Sequence, residues 1–175
     1  MGGDILSMSL VETSIGDLAV AYSNDEVLVI RSGAELARFG PIVAWRYGRP
    51  PGYRGTAPSW VAQTVEEYIA GARPSSLPQS LGALTDFERS VYAEVCRIPR
   101  GETRSYGWIS SAIGKPASSR AVGQAMARNP YPLMVPCHRV LPASGVVGHY
   151  ALGGPSVKAR LLVAEGADVV PSLTD

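Results

Sequence analysis

Apolar and polar positions alternate with a period of two near the start of the chain. Met8 and Leu10 are followed, after a Ser14-Ile15-Gly16-Asp17 turn, by Leu18 and Val20, and after Asn24-Asp25 by Val27-Leu28-Val29-Ile30. This period sends successive side chains to opposite faces of an extended backbone, so a small antiparallel meander is expected. From Phe39 to Pro58 the pattern dissolves among Pro41, Gly48, Pro50, Pro51, Gly52 and Gly55, and regular structure is not expected. At Pro58-Ser59 the period lengthens. Trp60, Val61, Val65, Tyr68 and Ile69 share one side of a helix that should stop near Gly71. A second Pro/Ser stretch, Arg73 to Ser80, bars helix at Pro74 and Pro78 and reads as a linker, with a domain boundary close to residue 82.

Beyond that boundary the spacing predicts short helices. Thr85 with Glu88 three residues on is a capping-box pattern, and Phe87, Val91 and Val95 then recur every four residues until Pro99. Cys96 lies on or beside this stripe and reads as a buried small hydrophobe. Ser105 can cap a helix through Tyr106, Trp108, Ile109 and Ala112 that Gly114 stops; Ser118 or Ser119 can cap another from Arg120 to Arg128, stopped by Asn129-Pro130. Two short helices joined by a tight turn make a helix-turn-helix candidate. On the second, Val122, Ala125 and Met126 form the core face, Arg120, Gln124 and Arg128 point outward, and Gly123 allows close approach of another backbone. The expected fold class is therefore α+β: a small N-terminal antiparallel sheet with a helix over residues 1–82, then a mainly helical domain over 83–175.

Composition narrows the class. The chain has 175 residues, 46% of them hydrophobic and 18% charged, which suits one or two compact domains and excludes wholesale disorder. No apolar run approaches the ~18–20 residues that span a bilayer, and Met1–Leu10 lacks a basic flank before an apolar run, so a soluble, unexported protein with no membrane partner is expected. Two cysteines are too few for a disulfide scaffold or a four-Cys zinc site and fit a reducing, cytosolic compartment. The net charge of +1 hides a separation: from Arg97 to Arg160, nine basic residues face Glu102 alone, and the remainder is acidic. A polyanion could bind the basic part, although solvated surface arginines explain the count equally well.

The candidate chemistry lies at Pro136-Cys137-His138-Arg139. Three prolines between Pro130 and Pro136 predict a stiff, extended approach, with Leu133-Met134-Val135 suited to burial. A cysteine beside a histidine in basic surroundings can form a thiolate, because positive charge stabilises the anion and the imidazole can take the proton. On these residues alone a structural thiol or a packed histidine remains open. A metal site has little support, since Cys96, Cys137, His138 and His149 include no pair at the usual two-to-four-residue ligand spacing.

The wider string carries more. Gly101-Glu102, Ser105-Tyr106, Arg120-Ala121-Val122-Gly123, Asn129-Pro130, Pro136-Cys137-His138-Arg139-Val140, Ser144-Gly145, Gly148-His149-Tyr150, Gly153-Gly154, Lys158, Leu161-Leu162 and Glu165-Gly166 follow one another over about 80 residues. In order and spacing this closely resembles the O6-alkylguanine-DNA alkyltransferases, also called methylated-DNA–protein-cysteine methyltransferases.

The resemblance implies a ribonuclease-H-like first domain and a suicide repair reaction on double-stranded DNA containing alkylated bases. Cys137 takes the alkyl group irreversibly, His138 draws its proton through a water, Glu165 orients the imidazole, and Asn129 ties the recognition helix to the active-site turn. Tyr106 crowds the target phosphate and Arg120 fills the vacated stack, with Ser105, Gly123, Arg128 and Arg139 also at the DNA. Val140, Val147, Gly148, Tyr150 and Ala151 form the base pocket, the carbonyls near Cys137 and Val140 reading the guanine amino group. No cofactor and no metal is implied. The expected state is a monomer, able to associate cooperatively on DNA, in the cytoplasm or nucleoid, or in the nucleus of a eukaryote. The alternative reading is a lesion-binding relative that recruits excision repair without efficient transfer.

Two departures from the family pattern bear on the pocket. Seven residues separate Tyr150 from Lys158, one more than is common, and Ala151 stands where some members have a serine that donates to O6. His149 replaces a frequent asparagine.

Overall fold

Residues 6–72 and 84–168 are described by a computed structural model, and the chain divides into two compact units, Met1–Ala83 and Leu84–Asp175. The expected linker at Arg73–Ser80 and the boundary at residue 82 lie outside the described residues.

In the first unit, strands β1 (Ser7–Val11), β2 (Leu18–Tyr22) and β3 (Val27–Ser32) form the expected antiparallel meander. Gly16, at φ 114°, turns the first hairpin in a backbone region that side chains with a Cβ avoid. The sheet is mixed rather than wholly antiparallel. A two-residue strand, β4 (Gly52–Tyr53), joins β1 in parallel and completes the order β3-β2-β1-β4.

The segment expected to be irregular holds a twelve-residue helix, α1 (Leu36–Tyr47), with Pro41 inside it. Two features explain it. Phe39 and Val43, one turn apart and fully buried, pack on Ala19, Ala21, Leu28 and Val29, each such burial contributing about 1.5–3 kcal/mol. Pro41 and Ala37 both face solvent, so the carbonyl that loses its helical partner can bond water. Helix α2 (Ser59–Ile69) follows as expected, with Val61 and Val65 buried.

The second unit starts at helix α3 (Asp86–Cys96), which carries the complete capping box: the Glu88 backbone N–H donates to Thr85 Oγ1 at 3.2 Å, and Thr85 N–H donates to Glu88 Oε2 at 2.9 Å. Cys96 is half-buried rather than buried, its thiol 4.0 Å from the Met134 carbonyl. Strand β5 (Arg104–Ser105) pairs in parallel with β6 (Val140–Leu141).

Helices α4 (Tyr106–Ala112) and α5 (Ser119–Ala127) are joined by a turn in which Gly114 takes φ 73° and Lys115 N–H reaches the Ser110 carbonyl at 2.8 Å. Ser105 caps α4 by accepting from Trp108 N–H at 3.0 Å. The expected serine cap on α5 is not formed, because the Ser118 hydroxyl donates back to the Lys115 carbonyl. Tyr92 of α3 donates to the Ala125 carbonyl at 3.0 Å and locks α5 from behind. Helix α6 (Gly154–Ala164) closes the unit. Among the described residues, a small mixed sheet and six helices give the α+β class, and no helix is long and apolar enough to cross a membrane.

Candidate active site and nucleic-acid interface

After α5 the chain does not run straight as its prolines suggest. It folds into a tight turn in which Val135 N–H reaches the Tyr131 carbonyl at 2.7 Å and Leu133 sits at φ 73°. A left-handed conformation costs a residue with a Cβ about 1–2 kcal/mol. Burial of Leu133, Met134 and Val135, each at most 1% exposed, offsets that strain. Asn129, itself 1% exposed, spans the turn: its Nδ2 donates to the Val135 carbonyl at 3.2 Å, and its Oδ1 accepts from Tyr131 N–H at 2.9 Å. It is a positioning residue, tying the end of α5 to the segment that delivers the cysteine.

Cys137, His138 and Arg139 then form one buried 3-10 turn. His138 Nε2 lies 3.1 Å from Glu165 Oε1, at the end of α6. Arg139 grips the same carboxylate twice, Nε to Oε2 at 2.7 Å and Nη2 to Oε1 at 2.6 Å, while its Nη1 donates to the Ile98 carbonyl at 2.7 Å. Burial pushes the Glu165 carboxyl up, but hydrogen bonds from His138 and Arg139, with the positive charge of both, outweigh it and bring the pKa from 4.5 to about 2. An ionised carboxylate only accepts hydrogen bonds, so the proton of a neutral His138 ring sits on Nε2, leaving Nδ1 as its basic nitrogen.

Arg139 therefore faces inward, 3% exposed, and the expectation that it contacts DNA is corrected. A guanidinium so enclosed needs a carboxylate partner, and Glu165 supplies one. Lys158 is likewise interior, 2% exposed, and donates to the Val140 carbonyl at 2.8 Å. Burial pushes its ammonium pKa down, and negative charge on Cys137 acts in the opposite direction. Of the basic segment, Arg97, Arg100, Lys115, Arg120, Arg128 and Arg160 remain exposed.

Cys137 opens on a cavity of about 280 Å³, a volume near the lower end for small-molecule sites. Tyr106, Gly123, Gly148, Tyr150 and Ala151 line it together with Met126, Ala127, Pro142, His149 and Lys158. The Tyr106 phenol is pushed up by burial and by charge on Cys137, so the two share one electrostatic environment. The ring of Tyr150 meets that of His138 edge-on at 6.1 Å.

Val140 and Val147 do not line the cavity. Both are at most 1% exposed; the Val140 carbonyl takes the Lys158 ammonium, and Val147 packs with Leu141, Leu162 and Ala167. Arg120 and Arg128 stand exposed at the two ends of α5, and Ser105 spends its hydroxyl on the α4 cap. Sequence reasoning missed Lys158 as a cavity residue, although a signal existed. Lys158, Leu161, Leu162 and Glu165 fall at i, i+3, i+4 and i+7, the stripe by which a helix faces its core.

An arginine-bearing two-helix unit stands beside a cavity that ends on a buried thiol, with a histidine, a carboxylate and a guanidinium behind it, an arrangement of the kind that can hold a polyanion and ionise a thiol. Residues 86–167 match the family model described as 6-O-methylguanine DNA methyltransferase, DNA binding domain. The chain is 36% identical over 157 residues to the constitutive methylated-DNA–protein-cysteine methyltransferase of Bacillus subtilis, covering 88% of this chain and 92% of the relative. It is 48% identical over 90 residues to the Mycobacterium leprae methyltransferase of that name, 51% of this chain and 54% of that one. A crystal structure of Mycobacterium tuberculosis OGT in complex with DNA superposes with a TM-score of 0.70 at 32% identity, over 91% of this chain and 92% of that one. The chain belongs to the methylated-DNA–protein-cysteine methyltransferase family.

Proposed function

We propose that the protein repairs double-stranded DNA by moving an alkyl group from O6 of guanine, and from O4 of thymine, onto Cys137 Sγ, once per molecule. The observation that carries this reading is the thiol at the cavity wall with the His138–Glu165–Arg139 chain directly behind it. His138 Nδ1 takes the thiol proton through a water. The thiolate then attacks the alkyl carbon, forming the S–C bond as the C–O6 bond breaks, and the departing guanine is reprotonated. Glu165 balances the imidazolium in the manner of a hydrolytic triad, with no hydrolysis step. A soft thiolate suits displacement at carbon, so the reaction calls for no cofactor.

The damaged base must leave the stack to reach a recessed thiol, at a cost of a few kcal/mol. Exposed Arg120, on the first turn of α5, offsets part of that cost by entering the vacated position, while Tyr106 presses the target nucleotide toward the cavity. The surface arginines neutralise phosphates with little sequence preference, so affinity should fall steeply with salt. The protein works as a monomer that can line up with further copies on DNA, in the cytoplasm or nucleoid.

Mass spectrometry tests the reading. Protein mixed with O6-methylguanine duplex should gain one methyl on the Cys137 peptide, and Cys137→Ala should bind the duplex without the gain. Absence of the adduct under reducing conditions refutes transfer and leaves lesion binding. Arg120→Ala should slow transfer from duplex by roughly tenfold or more, yet leave reaction with free O6-benzylguanine nearly unchanged, because a free base needs no extrusion. Equal losses on both substrates would remove Arg120 from that role.

A further inference from the structure

Strand β1 buries hydroxyls. Ser7 and Ser9 are 4% and 0% exposed, whereas the apolar Met8 and Leu10 between and beyond them are only partly buried. A polar residue at a core position is destabilising unless its hydrogen-bonding groups are satisfied or it serves a ligand. Ser9 is satisfied: it donates to the Arg54 carbonyl at 2.9 Å and accepts from the Tyr22 hydroxyl at 3.0 Å. The Ser7 hydroxyl makes no hydrogen bond to another described residue and is not sealed off; it opens on a cavity of about 280 Å³ in the first unit, lined by other residues than the cysteine site.

The rest of that cavity favours an anion. It lies at the N-terminus of α2, where Pro58 provides no side-chain cap, the first turn holds no acidic residue, and Val61 N–H is taken by the Pro58 carbonyl at 3.0 Å, which leaves the positive end of the helix to the N–H groups of Ser59 and Trp60. Arg54 lines it with its backbone pinned, N–H to the Met8 carbonyl at 2.8 Å, and its guanidinium makes no ion pair among the described residues. Thr56 and Asn24 add a hydroxyl and an amide, and no carboxylate belongs to the lining. Trp60, held edge-on by Tyr22 at 6.0 Å, supplies an apolar wall.

We propose that this cavity binds the phosphate of a small phosphomonoester, with Arg54, Ser7 and the start of α2 holding its oxygens and Trp60 flanking the organic part. The recessed position of Ser7 selects the monoester: a terminal phosphate can reach it, while a backbone diester would have to carry two substituents down the same opening. The proposal stands apart from the alkyl-transfer reading, since it uses residues of the other unit.

Isothermal titration of the full chain with inorganic phosphate and with adenosine 5′-monophosphate tests it, with a phosphodiester dinucleotide as control. Both phosphate probes should bind saturably, and Arg54→Gln should weaken them about tenfold, the effect of one charge-assisted contact. Ser7→Ala, nearly isosteric, should weaken them by a smaller factor, while Cys137→Ala should leave them unchanged and Arg54→Gln should transfer alkyl groups at the wild-type rate. Absence of saturable binding, or wild-type affinity in Arg54→Gln, overturns the site. A dinucleotide that binds as tightly as the monophosphate overturns the monoester assignment.

Discussion

Arg139→Leu should lower the unfolding free energy by about 3–5 kcal/mol, the usual cost of leaving one member of a buried ion pair uncompensated. The substitution withdraws two hydrogen bonds from Glu165 and one from the Ile98 carbonyl, all in the interior. Urea titration at neutral pH reads the loss as a lower midpoint.

The pH dependence gives an independent sign. Glu165 is depressed in the folded state from 4.5 to about 2, so its contribution is present above pH 4.5 and is lost as pH falls from there toward about 2. Without Arg139 a lowering cause is gone and the carboxyl rises, so the acid branch of the stability curve should flatten. A variant as stable as wild type at neutral pH, with an unchanged acid branch, would mean that the guanidinium is dispensable.

Glu165→Gln should slow alkyl transfer by at least tenfold while leaving duplex affinity close to wild type. The amide keeps the shape but not the charge, so the imidazolium formed as Cys137 ionises loses its counter-ion. The rate should rise through the titration of the Cys137–His138 couple, and in the variant that rise should move, because a neutral neighbour no longer favours the protonated ring. The amide also leaves Arg139 buried without its anion, so stability must be measured in parallel. A slowed rate with an unmoved pH profile would make Glu165 purely structural.

Much of this site was legible before any coordinates. The Thr85–Glu88 capping box, the α4 cap at Ser105, the Gly114 turn and the buried face Val122–Ala125–Met126 each depend on residues within four positions of one another, and the fold keeps them all. Of the residues marked by motif, His138 and Glu165 meet at 3.1 Å although 27 residues separate them, and Asn129 ties the end of α5 to the segment that leads to Cys137. Arg139 was expected at the DNA and is buried instead, because its neighbours in sequence do not state what covers it; the burial of Val140 and Val147 was hidden for the same reason. Helix α1 was hidden behind its own proline, which the fold tolerates because that side faces water.

The sequence by itself determined the ends of α2, α3, α4 and α5 to within a residue or two, the two-helix unit, and the presence of a thiol with its imidazole and carboxylate helpers, since caps, turns and hydrophobic periods act through short stretches of chain. Only the tertiary structure decided that Arg139 and Lys158 point inward and which residues wall the cavity. Whether a charge is worth burying depends on a partner brought from another element: Glu165 on α6 for Arg139 and the β6 carbonyl of Val140 for Lys158. Periodicity carries no record of that pairing.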